Sequence, residues 1–481
     1  MTNKIRTGTE GLDDILDGGL IPDRTYLVQG GPGTGKSTLG YQFLEEGNNN
    51  NESTLLISLH EKKENIVDNV FRLNINISAT NILDLSPNAS FYSKGGETYD
   101  VFSPTDVELK PLMQQVNTAI QKYKPTRVVL DSITMLNMLN DDPYHARKLA
   151  LSFIEFMSKN DITVIMISEQ RSDVEDAAFW VNGVIKLSSD TNWRKIEITK
   201  YRGSGFQSGQ HAYKISNNGF EVFPKLKPNK YERKFEPKQL QSGIGDFDDM
   251  LKGGLERGST TLLTGPSGIG KTNLGVHFVR QAALSGERSA IYSFEESKEV
   301  ILRRSEGISI PLSSIVKDGN LKIESIEPVS YSPDEFSKMV RNDVEKNDTR
   351  IVMIDSIGGY RLAVGEEEAL SRLHSLCVYL QNMGVTTLLV NEASNLIGNL
   401  RTTQINASYL ADNIIFFRYL EHEGKLLKSI GILKKRLSDF DSQLREYQIT
   451  NKGIIMGQAL KHMRGVLTGQ PEIIMPETQN E

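Results

Sequence analysis

The sequence predicts an α/β chain of two tandem domains, each a mainly parallel sheet flanked by helices. Three observations carry this reading. The chain has 481 residues, enough for two or three domains that each bury a core. It contains a long internal repeat. Its apolar segments are short continuous runs separated by helical stretches, the pattern of parallel strands covered on both faces.

The repeat is read directly. TGTEGLDDILDGGLIPDRTYLVQGGPGTGKSTLGYQF from Thr7 lies over SGIGDFDDMLKGGLERGSTTLLTGPSGIGKTNLGVHF from Ser242 without a gap, a shift of 235 residues (242 less 7). Further on, RVVLDSI from Arg127 matches RIVMIDSI from Arg350 with one residue of slack at its start and Asp131 over Asp355, a shift of 224 (355 less 131). The first copy therefore carries a net insertion of 11 residues (235 less 224) between these landmarks. A period this long indicates duplicated domains, since solenoid repeats are much shorter. The join falls within FPKLKPNKYERKFEPKQLQSG, where Lys, Pro and Glu replace the apolar pattern. The expected division is a first domain over 1–226, a linker over 227–238, a second domain over 239–460 and a tail over 461–481.

Each copy reads as strand, glycine loop, helix, then further strands. In the first copy these are TYLVQG, TLLIS, RVVLD and TVIMIS. Both copies close in strand-rich sequence, RKIEITKYRG with HAYKIS and FEVF in the first, SIGILKKRL with REYQIT in the second. A few antiparallel strands are therefore expected to complete each sheet.

Composition narrows the function. With 61 acidic and 55 basic residues the formal charge is -6, and no long block of Lys and Arg stands out. Both argue against a general electrostatic grip on nucleic acid. The single cysteine, Cys377, cannot form an internal disulfide, and in LHSLCVYLQNMG it reads as a small core residue. Nothing approaches about 18 consecutive apolar residues, and MTNKIRTGTEG lacks a signal-peptide core, so the cytoplasm is the expected location and no membrane partner is expected.

GGPGTGKS (Gly30 to Ser37) and GPSGIGKT (Gly265 to Thr272) both fit G-x-x-x-x-G-K-[ST]. Glycines let backbone N–H groups curl around phosphates, the lysine neutralises β and γ oxygens, and the hydroxyl reaches Mg²⁺. Each loop follows an apolar strand and opens a helix, so ATP is expected at Gly33, Thr34, Gly35, Lys36, Ser37 and Thr38, and at Ser267, Gly268, Ile269, Gly270, Lys271, Thr272 and Asn273. Asp131 and Asp355 end apolar strands, where an aspartate can hold the water shell of the same Mg²⁺. The expected metal set is Ser37 with Asp131, and Thr272 with Asp355 and Glu295. In-line attack on the γ-phosphate also needs a group that orients or deprotonates the nucleophile. Glu295 and Glu296 end the strand after the second phosphate-loop helix and are placed for this. At the equivalent position the first copy has His60 and Glu61; a neutral imidazole can accept a proton, and Glu61 can orient water.

These motifs, together with the duplicated GLDDILDGGL and GDFDDMLKGGL leaders, FEES, KYRGSG, KKRLSD and the late GVLTGQP, make the chain resemble the KaiC-type ATPases of the RecA-like class over nearly its whole length. The resemblance implies tandem RecA-like P-loop NTPase domains in a two-tiered homohexamer, with ATP bound between adjacent subunits. It implies hydrolysis in the first ring, and in the second a phosphoryl transfer to a neighbouring hydroxyl as well. It makes Glu295 the catalytic base, and it aims Lys200 and Arg202, and Lys434 and Arg436, at ATP of the adjacent subunit. The family's histidine just beyond is replaced by Phe206 and Phe440. NASYLADNIIFF puts Ser408 at the serine phosphoacceptor position and Tyr409 at the threonine position. SPNASFYSKGGETYDVFSPTDVE lies where the family presents a loop to a KaiB-like protein, while the short EIIMPETQNE after GVLTGQP argues against a KaiA-like activator. Two other readings share this motor core. One is a RecA-like DNA-dependent ATPase, opposed by the acidic balance and by the absence of C-x-x-C spacing or of a basic, aromatic-interleaved stretch. The other is an ATP-gated scaffold with little turnover.

Overall fold

A computed structural model describes the chain except for residues 1–3, 87–108, 136–142, 170–176, 191–192, 328–329, 393–407, 423, 462, 465–471 and 474–481. It divides into two compact units, Met1–Lys225 and Leu226–Glu481.

The first unit holds one nine-stranded sheet. Its strands are β1 (Thr25–Gly30), β2 (Thr54–Ser58), β3 (Asn81–Asp84), β4 (Arg127–Asp131), β5 (Thr163–Glu169), β6 (Gly183–Ser189), β7 (Arg194–Tyr201), β8 (Gln210–Ser216) and β9 (Gly219–Phe223). Their order is β3-β2-β4-β5-β1-β6-β7-β8-β9. Pairing is parallel as far as β6 and antiparallel from β6 to β9. Every residue of β1, β2 and β4 is buried, as required of strands with helices on both faces. Against them pack the helix Lys36–Asn49, through Leu39, Phe43 and Leu44, and the helix Leu109–Tyr123, through Val116 and Ile120.

The second unit repeats this sheet. A short ladder of β10 (Gln239–Leu240) with β11 (Leu255–Glu256) precedes it. The sheet contains β12 (Thr260–Gly265), β13 (Ser289–Ser293), β14 (Leu321–Ser325), β15 (Ile351–Asp355), β16 (Thr386–Glu392), β17 (Asn413–His422), β18 (Lys425–Lys435), β19 (Arg445–Thr450) and β20 (Gly453–Ala459). The order β14-β13-β15-β16-β12-β17-β18-β19-β20 matches the first sheet strand for strand. Even the irregularities recur. The β6–β7 ladder shifts register between Val184 and Ile185, and β17–β18 between Ile414 and Ile415, leaving an extra residue just ahead of Lys200 and of Lys434. A bulge of this kind re-aims the side chains that follow it.

The strands named from apolar runs are β1, β2, β4 and β5, and the closing sequence forms the antiparallel part. The edge strand β3 and the switch strand β6 lacked such a signal, because β3 is only half-buried and β6 alternates toward its end. Cys377 lies 3% exposed in the helix Glu366–Asn382, inside the core. Residues 227–238, read as a linker, and Leu226, read as the end of the first domain, belong to the second unit. Tyr231 packs edge-on against Tyr379 at 5.1 Å, Arg341 covers its ring at 4.5 Å, and Asn382 Nδ2 donates to Pro228 O at 3.1 Å. Polar composition hid these aromatic anchors. Among the described residues no helix is long and apolar enough to cross a membrane.

Candidate nucleotide sites

Both phosphate loops leave the central strand of their sheet and enter a helix through a left-handed glycine, Gly35 at φ 85° and Gly270 at φ 114°. A Cβ at Gly35 would stand 2.4 Å from Ile215 Cδ1, and one at Gly270 2.5 Å from Ile449 Cδ1; only glycine satisfies both the dihedral and the contact. Gly33 at φ 70° faces open space instead, and a Cβ at Gly268, at φ 71°, would meet only the Tyr419 hydroxyl at 3.8 Å. The loops are fastened from the antiparallel strands. Tyr213 on β8 donates its hydroxyl to Thr34 O at 2.7 Å, and Tyr447 on β19 does the same to Ile269 O. A concave backbone with open space above its glycines fits a chain of phosphates.

In the second unit a cavity of about 380 Å³ gathers Lys271, Thr272, Glu295, Glu296, Asp355 and Glu392. Lys271 is buried, and its ammonium donates to Pro266 O at 2.7 Å. Burial lowers its pKa, and the charges of Glu392, Asp355 and Glu295 act in the opposite sense. Asp355 ends β15 almost fully buried. Desolvation raises its carboxyl to a pKa of about 6; the Thr272 hydroxyl opposes this and the Glu295 charge adds to it. Ser356 donates its hydroxyl to Glu295 Oε1. Glu296 pairs with Arg304 at 2.9 Å, on the helix Lys298–Gly307, and Arg304 also lines the cavity. The two adjacent glutamates thus take different partners, the first Ser356 and the second Arg304.

The first unit has the same frame with different occupants. Ser37 Oγ donates to Asp131 Oδ2 at 2.6 Å, and Lys36 Nζ donates to Gly30 O and Gly31 O at 2.9 and 2.8 Å. Burial raises the pKa of Asp131, opposed by the Ser37 hydroxyl and then by His60. His60 is 42% exposed with its Nδ1 3.6 Å from Asp131 Oδ1. Glu61 accepts from Asn69 Nδ2 at 2.8 Å. Asn69 lies eight residues beyond Glu61 as Arg304 lies eight beyond Glu296, so the second position of each pair is braced on the following helix in both units.

The geometry adds one pair of carboxylates that the sequence reading passed over. Glu169 ends β5 opposite Gly30, and Glu392 ends β16 opposite Gly265. Each is the first-ranked charge acting on the phosphate-loop lysine of its unit, ahead of the strand-end aspartate. A detectable signal existed, since TVIMISE and TTLLVNE end alike in the two copies.

The remaining predicted residues lie apart from the phosphate loop of their own unit. Lys200 Nζ donates to Ala178 O and Phe179 O at 2.7 and 2.9 Å, and Lys434 Nζ to Ala411 O at 2.5 Å. Arg202 Nη2 is 3.4 Å from Phe179 O, and Arg436 Nη1 3.6 Å from Asp412 Oδ1. Burial and then the neighbouring arginine lower the pKa of both lysines. Ser408 opens the short turn Ser408–Leu410, beside Tyr409, which is 54% exposed with its ring 5.6 Å from that of His374. The insertion stretch expected to meet a KaiB-like protein lies, but for Ser86, outside the described residues. Of the tail EIIMPETQNE only residues 472–473 are described.

The residues present fit Mg²⁺. Among the described residues no three His, Cys, Asp or Glu converge into a protein cage. A magnesium ion at a phosphate loop asks for less, namely one hydroxyl and one water-bridged carboxylate beside the phosphates, which is what Ser37 with Asp131 and Thr272 with Asp355 offer.

Comparison with known proteins gives one consistent answer. The family model described as "ATPase: KaiC" matches residues 5–227 and again residues 240–461. Proteins named circadian clock oscillator protein KaiC are similar along the whole chain. That of Thermostichus vulcanus is 27% identical over 495 residues, covering 99% of this chain and 93% of its own length. That of Synechococcus elongatus is 27% identical over 497 residues, with 99% and 93% covered. That of Nostoc sp. is 28% identical over 485 residues, with 97% and 92% covered.

Proposed function

Since the chain belongs to the KaiC ATPase family, we propose that it is an ATP-hydrolysing regulatory protein of the cytoplasm, a homohexamer with ATP between neighbouring subunits, whose second unit is also a serine autokinase. The observation that carries the second-unit assignment is the single cavity holding Lys271, Thr272, Asp355 and Glu295, with Ser356 hydrogen-bonded to the Glu295 carboxylate.

In this reading Lys271 binds the β and γ oxygens of ATP, and the backbone from Ser267 to Asn273 cradles the phosphates. Thr272 and Asp355 would hold Mg²⁺, which would supply neutralisation of the charge on the phosphates. Glu295 accepts the proton of the attacking hydroxyl while Ser356 fixes the carboxylate's orientation. The attacking oxygen gains the γ-phosphoryl group and the bond to the ADP oxygen breaks. When the nucleophile is water the products are ADP and phosphate; when it is Ser408 Oγ of an adjacent subunit the product is phosphoserine. Lys434 and Arg436 of the adjacent subunit steady the transferring charge. Lys434, desolvated and beside a second cation, gains from an incoming phosphate. In the first unit Lys36, Ser37 and Asp131 bind in the same way, Lys200 and Arg202 reach across, and Glu61 orients water with His60 beside it, so turnover there is slower. Regulation runs through a KaiB-like partner at residues 86–108, without a KaiA-like activator. The clock role named for the relatives is a proposal for this chain.

The test is ATP turnover together with intact mass, with Mg²⁺ present, on the wild type, Glu295→Gln, Glu61→Gln and Ser408→Ala. We expect a gain of one phosphate on the wild type that disappears in Glu295→Gln and in Ser408→Ala, and a residual turnover in Glu295→Gln that falls further when Glu61→Gln is added. Turnover without any change of mass would refute the autokinase and leave the ATPase standing. Equal residual turnover with and without Glu61 would remove that residue from the mechanism.

A further inference from the structure

The second unit has a larger cavity at the opposite edge of its sheet. It is lined by the chain just before β13, β14 and β15 and by residues 234–238, and has a volume of about 690 Å³. The nucleotide cavity follows the ends of the strands, whereas this one precedes their beginnings. The size lies within the range of small-molecule pockets.

The internal repeat shows what is unusual about it. In the first unit the corresponding glutamate is held by Arg127, which is 1% exposed and bonds Glu52 through Nε at 2.6 Å and Nη2 at 2.8 Å. By the 235-residue shift Glu52 becomes Glu287, while the 224-residue shift sets Arg127 over Ile351 and Arg350 over Thr126. In the second unit Glu287 is instead taken by Arg257, a residue that stands where the first unit has Pro22. Arg350 turns outward to Asp348 at 3.0 Å. Arg288 stands in the place of Ser53 and adds another guanidinium. The exchange places Arg257, Arg288 and Arg350 around a cavity that Glu236, Glu287, Asp318 and Asp348 also line.

Two of those guanidinium groups carry donors with no acceptor. The Arg257 side chain is 9% exposed, and its Nη1 is buried with no hydrogen-bond partner in the protein. Arg288 Nε is buried in the same condition. Buried donors without acceptors are costly and uncommon, and a guanidinium fork is shaped for phosphate oxygens. Lys234 on the rim supplies a further cation. Two features ask for more than an inorganic anion. The exposed carboxylate of Asp318 also lines the cavity; it repels a bare phosphate but accepts hydrogen bonds from ribose hydroxyls, as acidic residues do in nucleotide folds. Phe235, 40% exposed and packed against Gly258 and Gly384, offers a ring face for stacking.

We propose that this cavity is a second small-molecule site, separate from the phosphate loops, for a phosphorylated ligand of the mononucleotide class. Arg257 and Arg288 bind its phosphate from the buried side and Lys234 from the rim, while Asp318 accepts from its sugar hydroxyls.

The experiment uses the full chain with both phosphate loops first saturated by a slowly hydrolysed ATP analogue and Mg²⁺. AMP is then titrated calorimetrically, and inorganic phosphate in a parallel series. The expected result is one further equivalent of AMP per chain, weakened at least tenfold by Arg288→Ala and several-fold by Lys234→Ala, with phosphate competing more weakly. Lys234 is exposed, so its variant keeps the readout where Arg288→Ala fails to fold; ATP turnover is expected to persist in both. Absence of a further equivalent, or one that neither substitution weakens, would overturn the site. Phosphate binding as tight as AMP would overturn the nucleotide class.

Discussion

At Asp355, burial sets a pKa of about 6 against an ordinary value of 3.8, with Glu295 adding to the rise and Thr272 opposing it. The consequence for catalysis has a definite sign. Below about pH 6 the free protein carries this carboxyl protonated, unable to hold the water shell of Mg²⁺, so second-unit kcat/KM for Mg-ATP is expected to fall about tenfold per pH unit there. The consequence for folding runs oppositely. The folded state keeps the proton between about pH 4 and 6 while the unfolded state has lost it, so stability falls as pH rises through that window. Asp355→Asn is expected to remove this fall, read as urea midpoints across the window, while abolishing most second-unit turnover. Flat midpoints in the wild type would show that the carboxyl is not so desolvated.

An arginine opens β4 and another, Arg350, immediately precedes β15, and their surroundings differ. Arg127 is enclosed by Glu52, by the carbonyls of Arg6 and Phe43, and by the Phe43 ring at 4.8 Å. Removing one partner of a buried pair strands the other charge, and Arg127→Ala is expected to destabilise the first unit by about 3–5 kcal/mol. Arg350 and Asp348 are 29% and 64% exposed, and such pairs contribute about 0–1 kcal/mol; Arg350→Ala is expected to cost no more. Hydrogen exchange of β4 and β15 amides checks the contrast, and equal loss of protection in both strands would contradict it. At the same scale the phosphate loops show how an element is fixed from outside itself. Gly35 and Gly270 are demanded by Ile215 and Ile449, and the loop carbonyls are held by Tyr213 and Tyr447, all four from antiparallel strands distant in sequence.

For the whole molecule, duplication predicts two nucleotide equivalents per chain. Lys36→Ala and Lys271→Ala are each expected to leave one equivalent, and the double variant none, by equilibrium binding of an ATP analogue with Mg²⁺. Saturating nucleotide stabilises whichever unit retains its lysine, by about 2.7 kcal/mol at a hundredfold excess over Kd. Loss of both equivalents in a single-lysine variant would mean that the two sites are not independent. The two units also share one sheet order while differing in the residues beside the phosphate loop, His60 and Glu61 against Glu295 and Glu296. Retained architecture with altered chemistry is the usual outcome of duplication, because a core is constrained by packing everywhere and a site by only a few side chains.

The sequence by itself determined the duplication, the parallel strands β1, β2, β4 and β5, and both phosphate loops with their strand-end aspartates. These are local signals: an apolar run is a buried strand wherever it occurs, and a glycine-rich loop needs its residues at fixed spacing. It also identified Glu295 and Glu296 as a pair without dividing their tasks. Only the tertiary structure gave Glu295 to Ser356 and Glu296 to Arg304, brought Glu169 and Glu392 to the phosphate-loop lysines across neighbouring strands, and packed residues 227–238 onto the second unit through Tyr231. Each of these depends on which strands lie side by side and which helix covers them, and partners far apart in the chain leave no mark on the local pattern of either.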